Sequence, residues 1–306
     1  MSEDRRGLWL GAAAYVMWGL FPLYWPLLEP AGAIEILAHR VLWSLVFMAG
    51  LLLLLRRAGT LRTIWVHPRV RYSMIGAGVF IGFNWGTYIW GVNNDHVVET
   101  SLGYYINPLV TVLFGVTLLG ERLRRWQWVA LAIGTVAVLV LSVELTRPPW
   151  IALILAFSFA FYGLLKKTAG TGPVEGLVFE GFVLAPIALA YLSWLTYVGQ
   201  AQGWSHGVDH VTLLATTGLV TAIPLLCFAG AANRIPLSTL GLLQYIGPTL
   251  QFIIGVWLLD EPMPAVRWAG FALVWLALIV LTVDSVMAYR RRNDIPSTKA
   301  PELAPL

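Results

Sequence analysis

The fold class predicted by this sequence is an all-α integral membrane protein with ten transmembrane helices in two inverted five-helix repeats. Three observations lead to it: an apolar composition, a series of ten apolar segments, and a stretch of sequence that occurs twice. Of the 306 residues, 58% are hydrophobic and only 12% are charged, and the mean hydropathy is +0.74. A water-soluble chain of this length would need more polar surface, so we expect this chain to fold in a lipid bilayer.

Ten apolar segments follow one another along the chain, and apolar runs of about 20 residues can cross the hydrocarbon core. Because the backbone must satisfy its own hydrogen bonds inside lipid, each segment is predicted to be helical. The alternating pattern of a membrane β-barrel is missing from these segments. The predicted spans are Leu8–Leu28, Ala33–Leu55, Tyr72–Val92, Val97–Leu119, Trp126–Val143, Trp150–Leu165, Val174–Val198, Val211–Ala232, Leu237–Leu259 and Arg267–Tyr289.

A stretch of about 22 residues occurs twice. Ser101–Glu121 reads SLGYYINPLVTVLFGVTLLGE, and Thr239–Glu261 reads TLGLLQYIGPTLQFIIGVWLLDE. Pro108 recurs as Pro248, and the other matched positions keep the same offset (248 − 108 = 140). Self-similarity at a fixed offset indicates two copies of one structural unit.

The two copies are predicted to be inverted, because each holds five spans and an odd number forces the second copy to enter from the opposite side. We place the first repeat at 1–144, the second at 145–289, and a disordered, proline-rich tail at 290–306. Inverted repeats are typical of secondary transporters, whose substrate site lies near the bilayer midplane between the halves.

The distribution of positive charge predicts the orientation. With a cytoplasmic N-terminus, Arg40 falls within a span and Arg147 and Arg267 fall outside, which leaves 17 of the 20 Lys and Arg residues on the cytoplasmic side (20 − 3 = 17). This asymmetry follows the positive-inside rule, so both termini are predicted to be cytoplasmic. The net charge of +4 is explained by this topology and does not imply a nucleic-acid partner.

Polar residues inside the spans are the candidate site, because placing them against lipid is costly. Arg40, preceded by His39, lies roughly 10 Å into the second span, and its equivalent in the second repeat is Glu180. We expect Arg40 to line the central pathway and bind an anionic or polar part of the substrate. Glu180 would be its counter-ion or a protonatable partner, and His39 a proton-linked group. The alternative is a structural ion pair that holds the helices together.

Further hydrogen-bonding side chains occur in the third, fourth and ninth spans. Two of them share a helix face at i, i+4 spacing, and others stand next to the repeated prolines, where helix kinks are expected. Helix packing and interfacial anchoring are the alternative roles of the aromatic members. The predicted pathway residues are His39, Arg40, Asn84, Tyr88, Tyr104, Asn107, Glu180, Gln244 and Tyr245, with kinks at Pro108 and Pro248.

Other classes of function have less support in the sequence. The single cysteine, Cys227, rules out an internal disulfide, and no metal or cofactor motif occurs, so we expect no cofactor, no metal and no catalytic residue. A membrane-embedded or lipid-modifying enzyme is the remaining alternative, with Glu99 or the Asp260–Glu261 pair as its acid. A sensor would need a sizeable soluble module, and every predicted loop is short. The sequence leaves a homo-oligomer open.

Several sequence blocks resemble one known family. The blocks are WGLFP (18–22), EILAHR (35–40), WGVNN (90–94), SLGYYINPL (101–109), AFSFAFYG (156–163), PLLCF (224–228) and LSTLGLLQYIGPT (237–249). Together with the two predicted five-span halves, they resemble the drug/metabolite transporter superfamily, most closely its EamA-type branch. The resemblance implies a multi-pass permease of the bacterial inner membrane that moves a small organic metabolite or drug. It does not extend beyond about Arg292.

Overall fold

The computed structural model describes residues 3–57, 59–118, 120, 122–145, 147–203, 205–235 and 237–293. Within these ranges the chain forms helices joined by short loops, and no β-strand occurs in them. Glu121, the end of the first copy of the repeated stretch, lies outside the described residues. So does most of the predicted tail, residues 294–306, whereas residues 290–293 continue the last helix.

The helices of the first predicted repeat start at the N-terminus and end before residue 145. They are α1 (Glu3–Gly19), α2 (Phe21–Tyr24), a 3-10 helix (Trp25–Leu28), α3 (Ala33–Leu54), α4 (Gly59–Val66), α5 (Pro68–Val92), α6 (Val97–Thr117) and α7 (Arg125–Glu144).

The helices of the second predicted repeat follow a short loop. They are α8 (Trp150–Ala169), α9 (Pro173–Tyr197), α10 (Gly207–Ala232), α11 (Leu237–Leu243), α12 (Ile246–Ile253), a π-helix (Ile254–Leu258) and α13 (Ala265–Asn293).

Eight segments of the described chain are long and apolar enough to cross a membrane, and nine are if the first bent pair counts as one span. That pair, Glu3–Gly19 with Phe21–Leu28, is bent by 44°. The predicted third span is helical as α5, but its glycines, Asn84 and aromatic residues make it less apolar than the others. The all-helical membrane class is therefore confirmed, and ten spans in inverted repeats remain a prediction.

The two repeated prolines have different effects on their helices. Helix α6 continues through Pro108, whereas the ninth predicted span is interrupted at Gln244 and Tyr245 before α12 begins. Pro248 lies four residues after Gln244, so it cannot donate the backbone hydrogen bond that a continuous helix would direct to that carbonyl. The helix is thus interrupted just before the second proline and continues through the first, and a kink at either proline stays a prediction.

Helices α7 and α13 pack along each other in antiparallel directions. Arg267 at the start of α13 donates to Glu144 at the end of α7, with 3.0 Å between Nη2 and Oε1. At the other end, Arg124 Nε donates to Asp284 Oδ2 at 2.6 Å. One ion pair therefore fastens each end of this helix pair.

Two close helix contacts hold the centre of the molecule together. A Cβ atom on Gly218 of α10 would come within 2.6 Å of the backbone of Trp43 in α3. A Cβ atom on Gly103 of α6 would come within 2.9 Å of the carbonyl oxygen of Ala152 in α8. Small residues of this kind let membrane helices approach closely, and these two contacts set the positions of the four helices that surround the site.

Candidate functional site

The most deeply buried cation in the described spans is Arg40 of α3, which is 3% exposed. Its guanidinium carbon lies 4.0 Å from the ring centroid of Trp85, 4.9 Å from that of Trp25 and 5.8 Å from that of Phe21. Aromatic faces attract a guanidinium through their quadrupole, and the attraction is strongest where water is excluded. These three rings form what we call the aromatic cage: Phe21, Trp25 and Trp85.

The polar contacts of Arg40 are few. Its Nε donates one hydrogen bond, to Thr221 Oγ1 of α10 at 2.9 Å. The phenol groups of Tyr104, Tyr88 and Tyr24 lie close enough to interact with the guanidinium electrostatically. Within the described part of the chain, none of the ion pairs includes Arg40. A buried cation without an anionic partner is costly, so its retention here needs a reason other than stability.

A hydrogen-bond network adjoins the cage. Asn84 Nδ2 donates to the carbonyl oxygen of Leu155 at 3.0 Å and to Ser158 Oγ at 3.1 Å. Asn84 Oδ1 accepts from the hydroxyl of Tyr104 at 3.2 Å, and the ring of Tyr104 meets that of Tyr88 edge-on at 5.7 Å. This network joins α5, α6 and α8 and fixes the two tyrosines beside Arg40.

Four of the predicted pathway residues are thus brought together: Arg40, Asn84, Tyr88 and Tyr104. The sequence reasoning missed Thr221, Trp25 and Phe21 as neighbours of the guanidinium. No spacing or motif marks Thr221, because it is one of several threonines in an apolar helix.

Glu180 is a correction to the expected site. Its Oε1 accepts a hydrogen bond from Lys166 Nζ at 2.9 Å, and the carboxylate is 1% exposed. Glu180 is therefore the counter-ion of Lys166 and not of Arg40. Lys166, near the end of α8, neutralises this carboxylate, and the other expected role of Glu180, as a protonatable partner, stays a prediction.

The remaining predicted residues lie in other surroundings. His39 is buried beside Gly203, whose backbone N–H donates to Glu35 Oε1 at 2.7 Å. Asn107 donates to the carbonyl oxygen of Ala156 at 3.0 Å. Gln244 and Tyr245 are half-buried at the break in the ninth predicted span. The side chains of these four residues are not among the contacts of the Arg40 guanidinium, and their place in the pathway stays a prediction.

Two of the three acids named for an enzymatic alternative, Glu99 and Glu261, hold helix ends. Glu99 pairs with Arg147 at 2.9 Å and accepts from the backbone N–H of Ile151 at 3.2 Å. Glu261 accepts from the backbone N–H groups of Val97 and Val98, the latter at 3.0 Å, and so caps the start of α6. Both carboxylates satisfy N–H groups that a helix N-terminus leaves unpaired, which gives them a structural role. In the described residues, no group of three or more His, Cys, Asp and Glu is arranged to hold a metal.

Glu261 makes the stability of the protein depend on pH. Burial raises the pKa of its carboxyl from 4.5 to about 7, against the opposing effects of the Val98 and Val97 N–H groups and Arg267. The folded state therefore holds the proton more tightly than the unfolded chain, and this stabilising contribution is complete below about pH 4.5 and lost as the pH rises through about 7. We expect the melting temperature to fall between pH 5 and pH 8, and to fall less in Glu261→Gln.

Melting curves in one detergent at several pH values measure this effect. Glu29→Gln is the matched control, because Glu29 is exposed. In this variant the melting temperature should change with pH as it does in the unmodified protein. If the melting temperature of Glu261→Gln changes with pH as steeply as that of the unmodified protein, Glu261 is not the source of the pH dependence.

Comparison with known proteins decides the family. The model of the EamA-like transporter family matches residues 5–143. The protein RarD of Streptomyces exfoliatus is 55% identical over 300 residues, which cover 98% of this chain and 95% of that protein. The chain belongs to the EamA-like transporter family. The resemblance to the drug/metabolite transporter superfamily is thereby confirmed.

Two further comparisons agree with this assignment. The uncharacterized transporter YojE of Bacillus subtilis (strain 168) is 42% identical over 289 residues, covering 93% of this chain and 96% of that protein. One solved crystal structure aligns with a TM-score of 0.58 and 20% identity, covering 90% of this chain and 97% of that chain. The structural likeness shows the fold alone. The EamA-like protein is thus a multi-pass membrane protein related throughout its length to transporters.

Proposed function

We propose that this EamA-like protein is a secondary transporter that moves a small organic metabolite or drug across the bacterial inner membrane by alternating access. The observation that carries the proposal is the buried, unneutralised Arg40. It belongs to the first predicted repeat, and its hydrogen-bond acceptor, Thr221, belongs to the second. Secondary transporters bind their substrates between the two halves, where polar groups of both halves meet.

The pairing of the helix ends supports an inverted repeat of ten spans. Glu144 and Asp284 are 140 positions apart (284 − 144 = 140); Glu144 ends α7, and Asp284 lies in the C-terminal part of α13. Each pairs with an arginine at the start of the other helix, Arg267 and Arg124 respectively. This reciprocal arrangement is expected for two copies related by a pseudo-two-fold axis.

A second reciprocal contact has the same form. Glu35 at the start of α3 binds the loop between α9 and α10, through the N–H of Gly203. Glu175, its equivalent at the start of α9, lies 3.8 Å from Arg57 in the loop after α3. Because α3 and α9 would run in opposite directions, the two contacts would lie on opposite faces of the membrane. The positive-inside rule would put both termini in the cytoplasm.

An enzyme without vectorial transport is the alternative. It has less support because Glu99 and Glu261 hold helix ends and because the relatives reported above are in a transporter family. Such an enzyme would convert a solute chemically without moving it across the membrane.

Counterflow in proteoliposomes tests the proposal. Vesicles containing the purified protein are preloaded with unlabelled gluconate, quinate, gluconamide or quinamide, which cross lipid slowly by themselves, and the same labelled solute is added outside. We expect transient accumulation above equilibrium for at least one solute, and none in protein-free vesicles, because a carrier exchanges one molecule for another. No counterflow with any of the four solutes, or chemical conversion without accumulation, would contradict the proposal.

A further inference from the structure

We propose that the substrate of this transporter carries a single carboxylate, which Arg40 binds with its terminal nitrogens while the Tyr88 hydroxyl donates a further hydrogen bond. This inference rests on the proposed function and adds the chemical class of the ligand.

The charge of the site is one positive unit. Of the buried acids, Glu180 is paired with Lys166, and Glu35 on α3 accepts from the backbone N–H of Gly203. Among the described residues, the groups in contact with the Arg40 guanidinium are aromatic rings, phenols and the Thr221 hydroxyl, all of which are uncharged. A ligand with one negative charge would neutralise the cation, whereas a second negative charge would itself be left buried and uncompensated.

The hydrogen-bonding groups around Arg40 include donors that lack an acceptor. In the described residues, the Tyr88 hydroxyl and Trp25 Nε1 are fully buried and have no hydrogen-bond partner. Arginine and the indole N–H donate and cannot accept. A carboxylate is the complementary group, because it has two oxygens and accepts about four hydrogen bonds. An ammonium ligand would add donors and a second positive charge to the same place.

The shape of the guanidinium favours a carboxylate over a spherical anion. Its Nε edge is occupied by Thr221, and the ring of Trp85 lies only 4.0 Å from its central carbon. A guanidinium stacked on a ring directs its N–H groups along its own plane, where a planar carboxylate can accept two parallel hydrogen bonds. The carbon atom that carries the carboxylate would then lie next to the aromatic cage and the rings of Tyr88 and Tyr104.

Ligand protection of the purified protein tests the inference. Three acids are compared with their neutral amides of nearly the same shape: acetate with acetamide, hexanoate with hexanamide, and benzoate with benzamide. Phenyl phosphate supplies a second negative charge. A ligand that binds the folded state raises the melting temperature by an amount that depends on its concentration and affinity.

We expect at least one acid to bind about tenfold or more tightly than its amide, and phenyl phosphate to bind more weakly than benzoate. Tyr88→Phe should weaken binding of the acid about tenfold and leave the ligand-free melting temperature unchanged, because its hydroxyl has no acceptor among the described residues. Tyr72→Phe is the matched control, since Tyr72 is exposed at the start of α5. Arg40→Lys should retain only part of the preference for the acid over its amide, because lysine cannot bind a carboxylate in bidentate fashion.

Equal protection by acid and amide in all three pairs overturns the inference, and so does stronger protection by phenyl phosphate than by benzoate. Either result, combined with counterflow of an amide, would leave the transporter proposal in place. Acid-selective protection without counterflow of any solute would instead retain the binding site and overturn transport.

Discussion

Arg40→Met is expected to raise the free energy of unfolding by about 1 kcal/mol and to abolish protection by carboxylate solutes. Replacing a buried ion pair by apolar side chains of similar volume is often neutral or stabilising, by about 1 to 4 kcal/mol, and a cation without an anionic partner has even less Coulombic attraction to lose. The loss of attraction to the cage, worth about 2 kcal/mol, opposes this gain. Methionine keeps part of the packing through favourable contacts of its sulfur with Trp85 and Trp25. A residue retained at a cost in stability is typical of a functional site.

The measurement is the melting temperature of purified protein in one detergent, with and without the most protective acid. Arg147→Met is the control, because Arg147 is ion-paired with Glu99 and its loss should lower stability. If Arg40→Met melts well below the unmodified protein and also below Arg147→Met, Arg40 is a structural element of the helix packing. That result would support the alternative interpretation, in which Arg40 holds the helices together.

Lys166→Met is expected to have the opposite effect and lower the free energy of unfolding by about 3 kcal/mol. Removing one member of a buried pair leaves the other charge uncompensated, and Glu180 is 1% exposed. Glu180→Gln should cost less, because the Lys166 side chain is 18% exposed and its long stem can carry the ammonium to water. The double variant Lys166→Met/Glu180→Gln should recover most of the loss.

Melting curves of the three variants and the unmodified protein check this order. A double variant that is less stable than Lys166→Met would show that the two side chains do not act as a pair. Arg40→Met and Lys166→Met are expected to differ because both remove a cation, but only Lys166 has an anionic partner.

Much of the fold follows from the sequence because lipid imposes simple rules on the backbone. The second predicted span, Ala33–Leu55, differs from α3 by one residue at its end. The position of Arg40 could be found because a deep arginine in an apolar helix is rare enough to need an explanation. Pro248 explains the interruption just before it in the ninth predicted span, whereas Pro108 fits within a continuous helix, so a proline alone does not fix the local structure.

The partners of the buried charges could not be found in the same way. A repeat offset relates equivalent positions of two inverted units, but equivalent positions need not face each other. Glu180 therefore finds Lys166, a residue that looks like an ordinary cytoplasmic lysine in the sequence. The surroundings of Arg40 could not be predicted either. Trp25 approaches it through the packing of the first bent segment, and Thr221 through the packing of α10 against α3.

Flux through Arg40 variants is the most direct test of the central claim, which is that the solute binds at Arg40 during transport. Proteoliposomes containing equal amounts of folded unmodified protein, Arg40→Met or Tyr72→Phe are compared in counterflow of the slowly permeating carboxylate that accumulates most. We predict at least a tenfold loss in Arg40→Met, down to the level of protein-free vesicles, and an unchanged rate in Tyr72→Phe. A rate for Arg40→Met within twofold of the unmodified protein would contradict the account.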